Sequence, residues 1–322
     1  MKGYKAFEKG MICGGKQYAE NTVFEEEKAE ICKSGMHFCK EPLDVLDYYP
    51  FIDKNGNITE FAEVEALDEP KTDDEKKFCT KKLKIGAKIS FAKLVQASFN
   101  FEYEKVTDTE NEKTEKDNIH INTSNDEAQI ASSGNYARIG SSGHAAQIAS
   151  SSDYARIGSS GSNVLIGSSG GFTQIGSSGY YAQIASSGYS AQIASSGNDA
   201  QIASSGNYAR IASSGNYARI ASSSGGALIG SSGHSAQITS SGDDARINST
   251  GKYAVICCAG EDCIAKGKIG SWITLSEWEY SKEENEIIPV CVKTEKIDGI
   301  KIKEDTFYKL KNGKFVEVEE RR

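Results

Sequence analysis

Residues 182–220 read AQIASSGYS-AQIASSGND-AQIASSGNY-ARIASSGNY-ARI, a nine-residue unit that repeats without insertion or deletion. An isoleucine returns every nine residues from Ile121 to Ile256, and the consensus is Ala-x-Ile-[Ala/Gly]-Ser-Ser-Gly-x-x. Alanine and isoleucine, two positions apart, face the same side of a β-strand, and Ser-Ser-Gly then turns the chain. Such a short strand buries its apolar side only by stacking on copies of itself, so the repeat predicts a β-solenoid.

Two nine-residue units per coil give an 18-residue β-roll with two parallel sheets, and three units give a three-sided, 27-residue coil. The sequence favours the 18-residue coil and leaves the 27-residue coil open. About seven and a half stacked coils, roughly 4.8 Å apart, would form a rod about 36 Å long over residues 121–256. The predicted class is therefore mainly β.

The segments on either side of the repeat predict different structures. Residues 1–105 are expected to form an α/β domain, and residues 106–120 a polar linker. Residues 257–322 are expected to form a β-rich cap, because a solenoid end exposes strand edges and core. Within the first domain we predict strands at 4–7 and 61–66 and helices at 41–49 and 90–98.

Two local signals support the cap. Asn312-Gly313 lies between alternating strands and is typical of a type I′ hairpin turn. Trp272 and Trp278 are large apolar residues in a strand-like stretch, so we predict that both belong to the core of the cap.

The charge balance limits the classes of partner. The 322 residues carry 37 Lys+Arg and 45 Asp+Glu, a net charge of −8. Bulk attraction to nucleic acid or to an anionic membrane is not expected, so nucleic acid is not the favoured partner. No run of about 18 apolar residues occurs, and the N-terminal MKGYKAFEKG lacks the apolar segment of a signal peptide. We therefore expect a cytoplasmic protein that does not associate with membranes.

No cofactor is expected from the repeat. Calcium-binding nonapeptide rolls use Gly-Gly-x-Gly-x-Asp turns, whereas these turns are Ser-Ser-Gly. The acidic residues of the repeat are scattered and are not expected to form a ladder: Asp153, Asp199, Asp243 and Asp244.

The eight cysteines are expected to be reduced thiols of a cytoplasmic protein. Cys13, Cys32, His37 and Cys39 leave a zinc site as an alternative. Their spacing is not that of two Cys-x2-Cys pairs, so buried thiols are favoured.

An 18-residue coil would sort the outward residues into two faces. One sheet would carry arginine and aromatic side chains, and the other mainly glutamine. Arg and Tyr are enriched at binding hot spots, so the first face is the candidate binding surface. The alternative is that tyrosine ladders stabilise the sheet by cross-strand stacking and arginine keeps the rod soluble. The candidate residues are Tyr136, Arg138, Tyr154, Arg156, Phe172, Tyr208, Arg210 and Arg246.

The order of motifs resembles an uncharacterised family that is common in phage and prophage genomes. The matching segments are Lys-Gly-Tyr-Lys-x-Phe at 2–7, Gly-Met-His-Phe-Cys at 35–39, the Ile-[Ala/Gly]-Ser-Ser-Gly repeats and Gly-Ser-Trp-Ile-Thr-Leu-Ser-Glu-Trp at 270–278. The resemblance implies a phage origin and expression inside a bacterial cell. It brings no catalytic residues to transfer to this chain.

A second, shorter resemblance concerns residues 35–49. They are loosely similar to the Gly-[Ile/Leu]-Tyr-Phe-[Ala/Ser]…Ala-x-Tyr segment of ADP-ribosyltransferases, with His37 where that family has tyrosine. No His-Gly or strand-initial Glu partner accompanies it. The resemblance therefore favours a related scaffold without transferase activity over a working transferase.

The favoured hypothesis is a non-enzymatic protein whose solenoid presents a repetitive face to a host macromolecule, a host protein more than a nucleic acid. Antagonism of a host defence or nucleic-acid-processing system follows from the phage resemblance alone. One alternative is an ADP-ribosyltransferase-like N-terminal enzyme with the solenoid as a targeting arm. Another is a virion structural or adhesion module. The sequence leaves the oligomeric state open.

Overall fold

The computed structural model describes residues 1–49, 57, 59–74, 76–89, 93, 94, 97, 101 and 111–319. The chain divides into two compact units, residues 1–53 with 57–106 and residues 54–56 with 107–322. No helix among the described residues is long and apolar enough to cross a membrane.

In the described part of the first unit, seven strands form an antiparallel sheet in the order β4-β9-β6-β1-β5-β8-β7. The strands are β1 Lys2–Phe7, β4 Val23–Glu25, β5 Met36–Cys39, β6 Glu60–Ala66, β7 Lys71–Thr72, β8 Lys77–Thr80 and β9 Lys82–Ile89. A separate small hairpin pairs β2 Ile12–Cys13 with β3 Lys16–Gln17. A 3₁₀ turn, Pro42–Asp44, leads into the single-turn helix α1, Val45–Tyr48.

Several expectations for this unit are confirmed and one is corrected. The predicted strands at 4–7 and 61–66 lie within β1 and β6, and the predicted helix at 41–49 contains the 3₁₀ turn and α1. The predicted helix at 90–98 falls outside the described residues except at 93, 94 and 97. The described part is β-rich rather than an even α/β mixture, because its core is built on alternating strand residues such as Phe7 and Val64.

The second unit contains two long sheets of eleven described strands each. The first solenoid sheet consists of β10 Asn111–Thr114, β12 Gln129–Ser132, β14 Gln147–Ser150, β16 Leu165–Ser168, β18 Gln183–Ser186, β20 Gln201–Ser204, β22 Arg219–Ser222, β24 Gln237–Ser240, β26 Val255–Cys258, β28 Trp272–Ser281 and β29 Glu286–Lys296. The second consists of β11 His120–Thr123, β13 Arg138–Ser141, β15 Arg156–Ser159, β17 Gln174–Ser177, β19 Gln192–Ser195, β21 Arg210–Ser213, β23 Leu228–Ser231, β25 Arg246–Ser249, β27 Ile264–Lys266, β30 Phe307–Lys311 and β31 Lys314–Val318.

The strand register confirms the 18-residue coil. Within each sheet the repeat strands are parallel, and each isoleucine pairs with the one eighteen residues later, as Ile130 does with Ile148. The three-sided, 27-residue alternative is therefore excluded. About nine turns stack between residues 113 and 275. The isoleucine columns of both sheets meet inside, where Ile202 is 2% exposed and Ile211 is fully buried.

A column of glycines permits this close stacking. At the Gly of Ser-Ser-Gly, an added Cβ would lie only 1.8–2.2 Å from a carbonyl oxygen of the preceding coil, as for Gly215 against Gly197. Two coils carry serine at this position, Ser152 and Ser224, and the Ser224 hydroxyl donates a hydrogen bond to the Gly206 carbonyl. The repeat therefore needs glycine here for space, and accepts serine where the hydroxyl finds a partner.

The solenoid begins earlier than the isoleucine repeat indicates. β10 pairs in parallel with β12, and Glu112 takes the register position opposite Ile130. The linker predicted at 106–120 therefore includes a strand at Asn111–Thr114, while residues 106–110 lie outside the described residues. The hydrophobic pattern missed this strand because ladder hydrogen bonds are made by the backbone and need no isoleucine.

The coil also continues past Ile256. β28 pairs in parallel with β26, and Ile273 takes the position opposite Ile256. The predicted end of the solenoid at 256 is therefore too early. The interval from Ile256 to Ile273 is not a multiple of nine, and this irregularity hid the last turn from a search for a fixed period.

Antiparallel hairpins close the far end of both sheets. β28 pairs with β29, and β30 pairs with β31 through Asn312 and Gly313. Both turn residues have positive φ, 50° and 64°, which confirms the predicted turn. Trp278 is half-buried and donates from Nε1 to the Ala259 carbonyl at 3.0 Å. Trp272, however, is 46% exposed, because it continues the outward column of Val255. Its predicted place in the core is wrong.

Candidate functional site

Five half-exposed aromatic side chains of the solenoid form a line along one stack of turns. This aromatic column precedes the strands of the second solenoid sheet, and its rings are between 47% and 56% exposed. Its members are Tyr136, Tyr154, Phe172, Tyr189 and Tyr208.

The rings of the column touch in sequence. Tyr136 and Tyr154 lie 5.1 Å apart between ring centroids and are tilted by 11°, and Tyr154 and Phe172 lie 5.2 Å apart at 8°. Tyr189 then meets Phe172 and Tyr208 edge to face, at 5.5 Å and 5.6 Å. Four coil steps of roughly 4.8 Å make the column about 20 Å long.

Two residues, Tyr189 and Gly226, adapt the column to local changes in the repeat. Ser190 occupies the usual column position, and the preceding residue, Tyr189, supplies the ring instead. Below Tyr208 the next coil has Gly226, where a Cβ would lie 2.8 Å from the Tyr208 ring. The absence of a side chain at Gly226 gives the Tyr208 ring room to lie over the backbone.

The column residues have an unfavourable backbone conformation. Tyr136, Tyr154, Phe172 and Tyr208 have φ between 55° and 59°. Bulky residues rarely adopt this left-handed region, which costs roughly 1–2 kcal/mol and suits Gly or Asn. Parallel ring stacking returns about 0.5–1.5 kcal/mol per pair, so the column offsets its strain only in part.

This geometry corrects one feature of the sequence interpretation. The tyrosines were expected on the strands, on the same outer sheet face as the arginines. They lie instead in the turns, two residues before each strand begins, as Tyr136 does before β13. A second set of rings occupies the opposite turn, where His234 lies 5.1 Å from Tyr253 and 6.4 Å from Tyr217. Aromatic residues are therefore not confined to one face.

The arginines begin the strands of the second solenoid sheet. Arg138 pairs with Arg156, as the predicted sorting of outward residues requires. Their side chains and those of Arg210 and Arg246 are half-buried, and none of the four is without an interaction partner. Arg246 contacts the cap. Its guanidinium carbon is 4.7 Å from the centroid of the Phe307 ring, which is buried there.

The first solenoid sheet presents a different surface. The first residue of each repeat strand in this sheet is exposed. These residues are Gln129, Gln147, Leu165, Gln183, Gln201, Arg219, Gln237 and Val255. Beside them runs a shallow trough of about 950 Å³, with alanines such as Ala149 on its floor and serines such as Ser151 on its wall. The predicted glutamine face is therefore the more open of the two sheets.

The turns contain a polar ladder that sequence reasoning missed. Asp153 accepts the backbone N–H of Gly171 at 2.7 Å, and Asn198 accepts that of Asn216 at 2.8 Å. Asp243 does the same for Glu261 at 2.8 Å. Asp153 and Asp243 act here as single turn acceptors five coils apart, so the ladder is one of hydrogen bonds and not of adjacent carboxylates. Among the described residues, no three His, Cys, Asp or Glu side chains are grouped to hold a metal ion.

The zinc alternative in the first unit does not assemble in this structure. His37 Nε2 accepts the Cys32 backbone N–H at 3.0 Å, and Cys13 Sγ lies 3.0 Å from the Tyr49 hydroxyl. Cys39 is buried, and burial beside acidic groups raises the pKa of its thiol to about 12. Among the described residues, which include all four, no three of these side chains are grouped to hold a metal ion.

Family comparison adds a coarse result for the first unit. Residues 1–97 match the model of a domain of unknown function, DUF7666. The match covers less than a third of the chain and includes the Lys-Gly-Tyr-Lys-x-Phe and Gly-Met-His-Phe-Cys segments. No curated protein and no solved structure matches the chain.

Proposed function

We propose that the protein is a non-enzymatic binding module whose solenoid offers the aromatic column to a protein partner. The observation that carries the proposal is the placement of aromatic residues in the repeats. All nine Tyr and Phe residues of 121–256 are 47–57% exposed, and the core between the sheets is built from isoleucine, alanine and valine.

Backbone preference does not favour tyrosine in these turns. A left-handed turn position is better filled by Asn or Gly, and neither would weaken the core. Tyr and Trp anchor interfaces because they bring large contact area with few rotatable bonds. A row of stacked, half-exposed rings is rigid before binding, which lowers the entropy lost on association.

The partner that fits this surface is a protein rather than a nucleic acid. The repeats hold few cations, and the four arginines at the head of the second-sheet strands already have partners. A nucleic acid would need a continuous row of phosphate contacts beside the rings. We further propose, from the sequence resemblance to phage proteins, that the partner is a host protein in a bacterial cytoplasm.

The column is tested by asparagine substitution, because Asn tolerates the left-handed conformation better than Tyr. The variant Tyr136→Asn/Tyr154→Asn/Phe172→Asn is expected to lose partner binding by at least about tenfold, since each buried aromatic anchor contributes about 2 kcal/mol or more. Binding is measured by quantitative affinity capture from nuclease-treated bacterial lysate, followed by titration of the captured protein.

The matched control changes the same residue type in the opposite turn, as Tyr181→Asn/Tyr217→Asn/Tyr253→Asn. It is expected to bind like the unchanged protein. Equal binding by both variants, with a lowered melting temperature in the column variant alone, would show that the rings only stabilise the rod.

A further inference from the structure

The first unit contains a buried cation that has no ion-pair partner among the described residues. Lys5 of β1 is 4% exposed, and its Nζ donates to the His37 carbonyl at 2.7 Å. The ammonium also lies 5.4 Å from the Tyr18 ring centroid and 5.6 Å from that of Phe7. Among the described residues no carboxylate lies within ion-pair distance of it. Burial of a charge in this way costs several kcal/mol unless an anion accompanies it.

Lys5 lies in the wall of a cleft. The cleft has a volume of about 560 Å³, within the range of small-molecule sites, and is lined by the strands β1 and β5 and the loops around them. Its charged lining residues are Lys5, Lys16, Lys33, Lys77 and Glu26. Four ammonium groups thus face one carboxylate, in a chain whose overall charge is negative.

Among the described lining residues, one of the four lysines forms an ion pair with a lining carboxylate, and the charges of Asp74 and Asp73 outside the lining act on Lys77. Lys16 forms an ion pair with Glu26 at 2.7 Å. Lys77 donates to Cys32 Sγ at 3.0 Å and lies 4.5 Å from the Tyr48 ring centroid. Neither contact places a negative charge within ion-pair distance of Lys5.

The imidazole of His37 is exposed to the electrostatic field of the same lysines. Burial and then the nearby charges of Lys5 and Lys77 lower the pKa of its imidazole, which therefore stays neutral at pH 7. The imidazole Nε2 accepts the Cys32 N–H, so it is held in place as a neutral wall of the cleft. The excess of positive charge comes from the lysines.

We propose that this cleft binds a phosphorylated small molecule, with the phosphate paired to Lys5 and Lys77. A single carboxylate would neutralise one of the three ammonium groups left in excess, whereas a phosphate dianion neutralises two. Lysine binds phosphate as a point charge, without the fixed geometry of arginine. The rings of Tyr18, Tyr48 and Tyr49 line the same cleft and provide flat surfaces for the rest of the molecule. This site is separate from the aromatic column and does not depend on it.

The test is isothermal titration calorimetry of the full chain with AMP and with inorganic phosphate, at low ionic strength. We expect both to bind at one site, AMP more tightly than phosphate, and chloride at matched ionic strength to give no saturable signal. Lys5→Met keeps the length of the side chain and removes the charge, and should weaken AMP binding at least about tenfold. Lys77→Met should weaken it as well, which keeps the test independent of the folding of one variant.

Lys9→Met is the control, because Lys9 is an exposed lysine of the same unit outside the cleft. It should bind AMP like the unchanged chain. The proposal is overturned if neither AMP nor phosphate binds, or if Lys5→Met and Lys77→Met bind as Lys9→Met does. Without ligand, Lys5→Met should melt no lower than the unchanged chain, since a buried charge is exchanged for a methyl thioether.

Discussion

Gly215→Val is expected to disrupt the centre of the solenoid and to lower the free energy of unfolding by at least about 3 kcal/mol. The Cβ of residue 215 would lie 1.9 Å from the Gly197 carbonyl oxygen and 2.5 Å from its carbon. Both atoms belong to the backbone of the turn after β19, and that strand is fixed in the parallel ladder between β17 and β21. The change should therefore force two coils apart.

Gly167→Val is the matched control. Gly167 lies on the outer face of β16, and a Cβ there would meet no atom within 4 Å. Valine suits a strand, so the control should unfold at the same denaturant concentration as the unchanged protein or slightly higher. Fluorescence of Trp272 and Trp278, both in the second unit, follows the transition. Equal midpoints for the two variants would show that the coils have slack at residue 215.

Gly215→Ser should fall between these two variants. Serine already occupies the equivalent positions 152 and 224, where the hydroxyl bonds to Ser132 Oγ or to the Gly206 carbonyl. A hydroxyl at residue 215 has the Gly197 carbonyl as a similar acceptor.

Ile202→Ala is expected to destabilise the solenoid by about 2–5 kcal/mol. Ile202 is 2% exposed and lies in the isoleucine column of the first solenoid sheet, paired with Ile184 and Ile220. The core is only two side chains thick, and the glycine column holds the coils at a fixed distance. Neighbouring residues therefore cannot move in to fill the cavity.

Leu165→Ala removes a side chain of the same size from an outward position, where Leu165 is 48% exposed. It should change the free energy of unfolding by less than about 0.5 kcal/mol. Urea titration and hydrogen exchange of both variants provide the comparison. A loss in Leu165→Ala as large as that in Ile202→Ala would contradict the assignment of inner and outer faces.

The two substitutions also test how far a defect spreads. Each coil of a solenoid contacts only its neighbours, so stability is close to a sum of unit and interface terms. Hydrogen exchange in Ile202→Ala should therefore rise most in β18, β20 and β22. Strands near either end should keep their protection.

The repeat determined the solenoid because every contact that builds it is made between identical units. Ile130 faces Ile148, and the small residues beside them recur at the same interval, so the nine-residue period implies parallel, in-register strands before any coordinates are known. The Asn312-Gly313 turn was predictable for a similar reason, since a two-residue hairpin is specified by local backbone preference.

The tertiary structure decided what local pattern does not encode. Strand Asn111–Thr114 joins the ladder through backbone hydrogen bonds without an isoleucine, and Trp272 faces outward because its strand continues the column of Val255. Tyr136 lies in a turn and has positive φ, a backbone conformation that the sequence Asn-Tyr-Ala does not predict. Lys5 reads as a surface residue of an ordinary strand. Only the packing of Phe7, Tyr18 and the His37 backbone around it makes it a buried cation, because burial depends on contacts between residues distant in sequence.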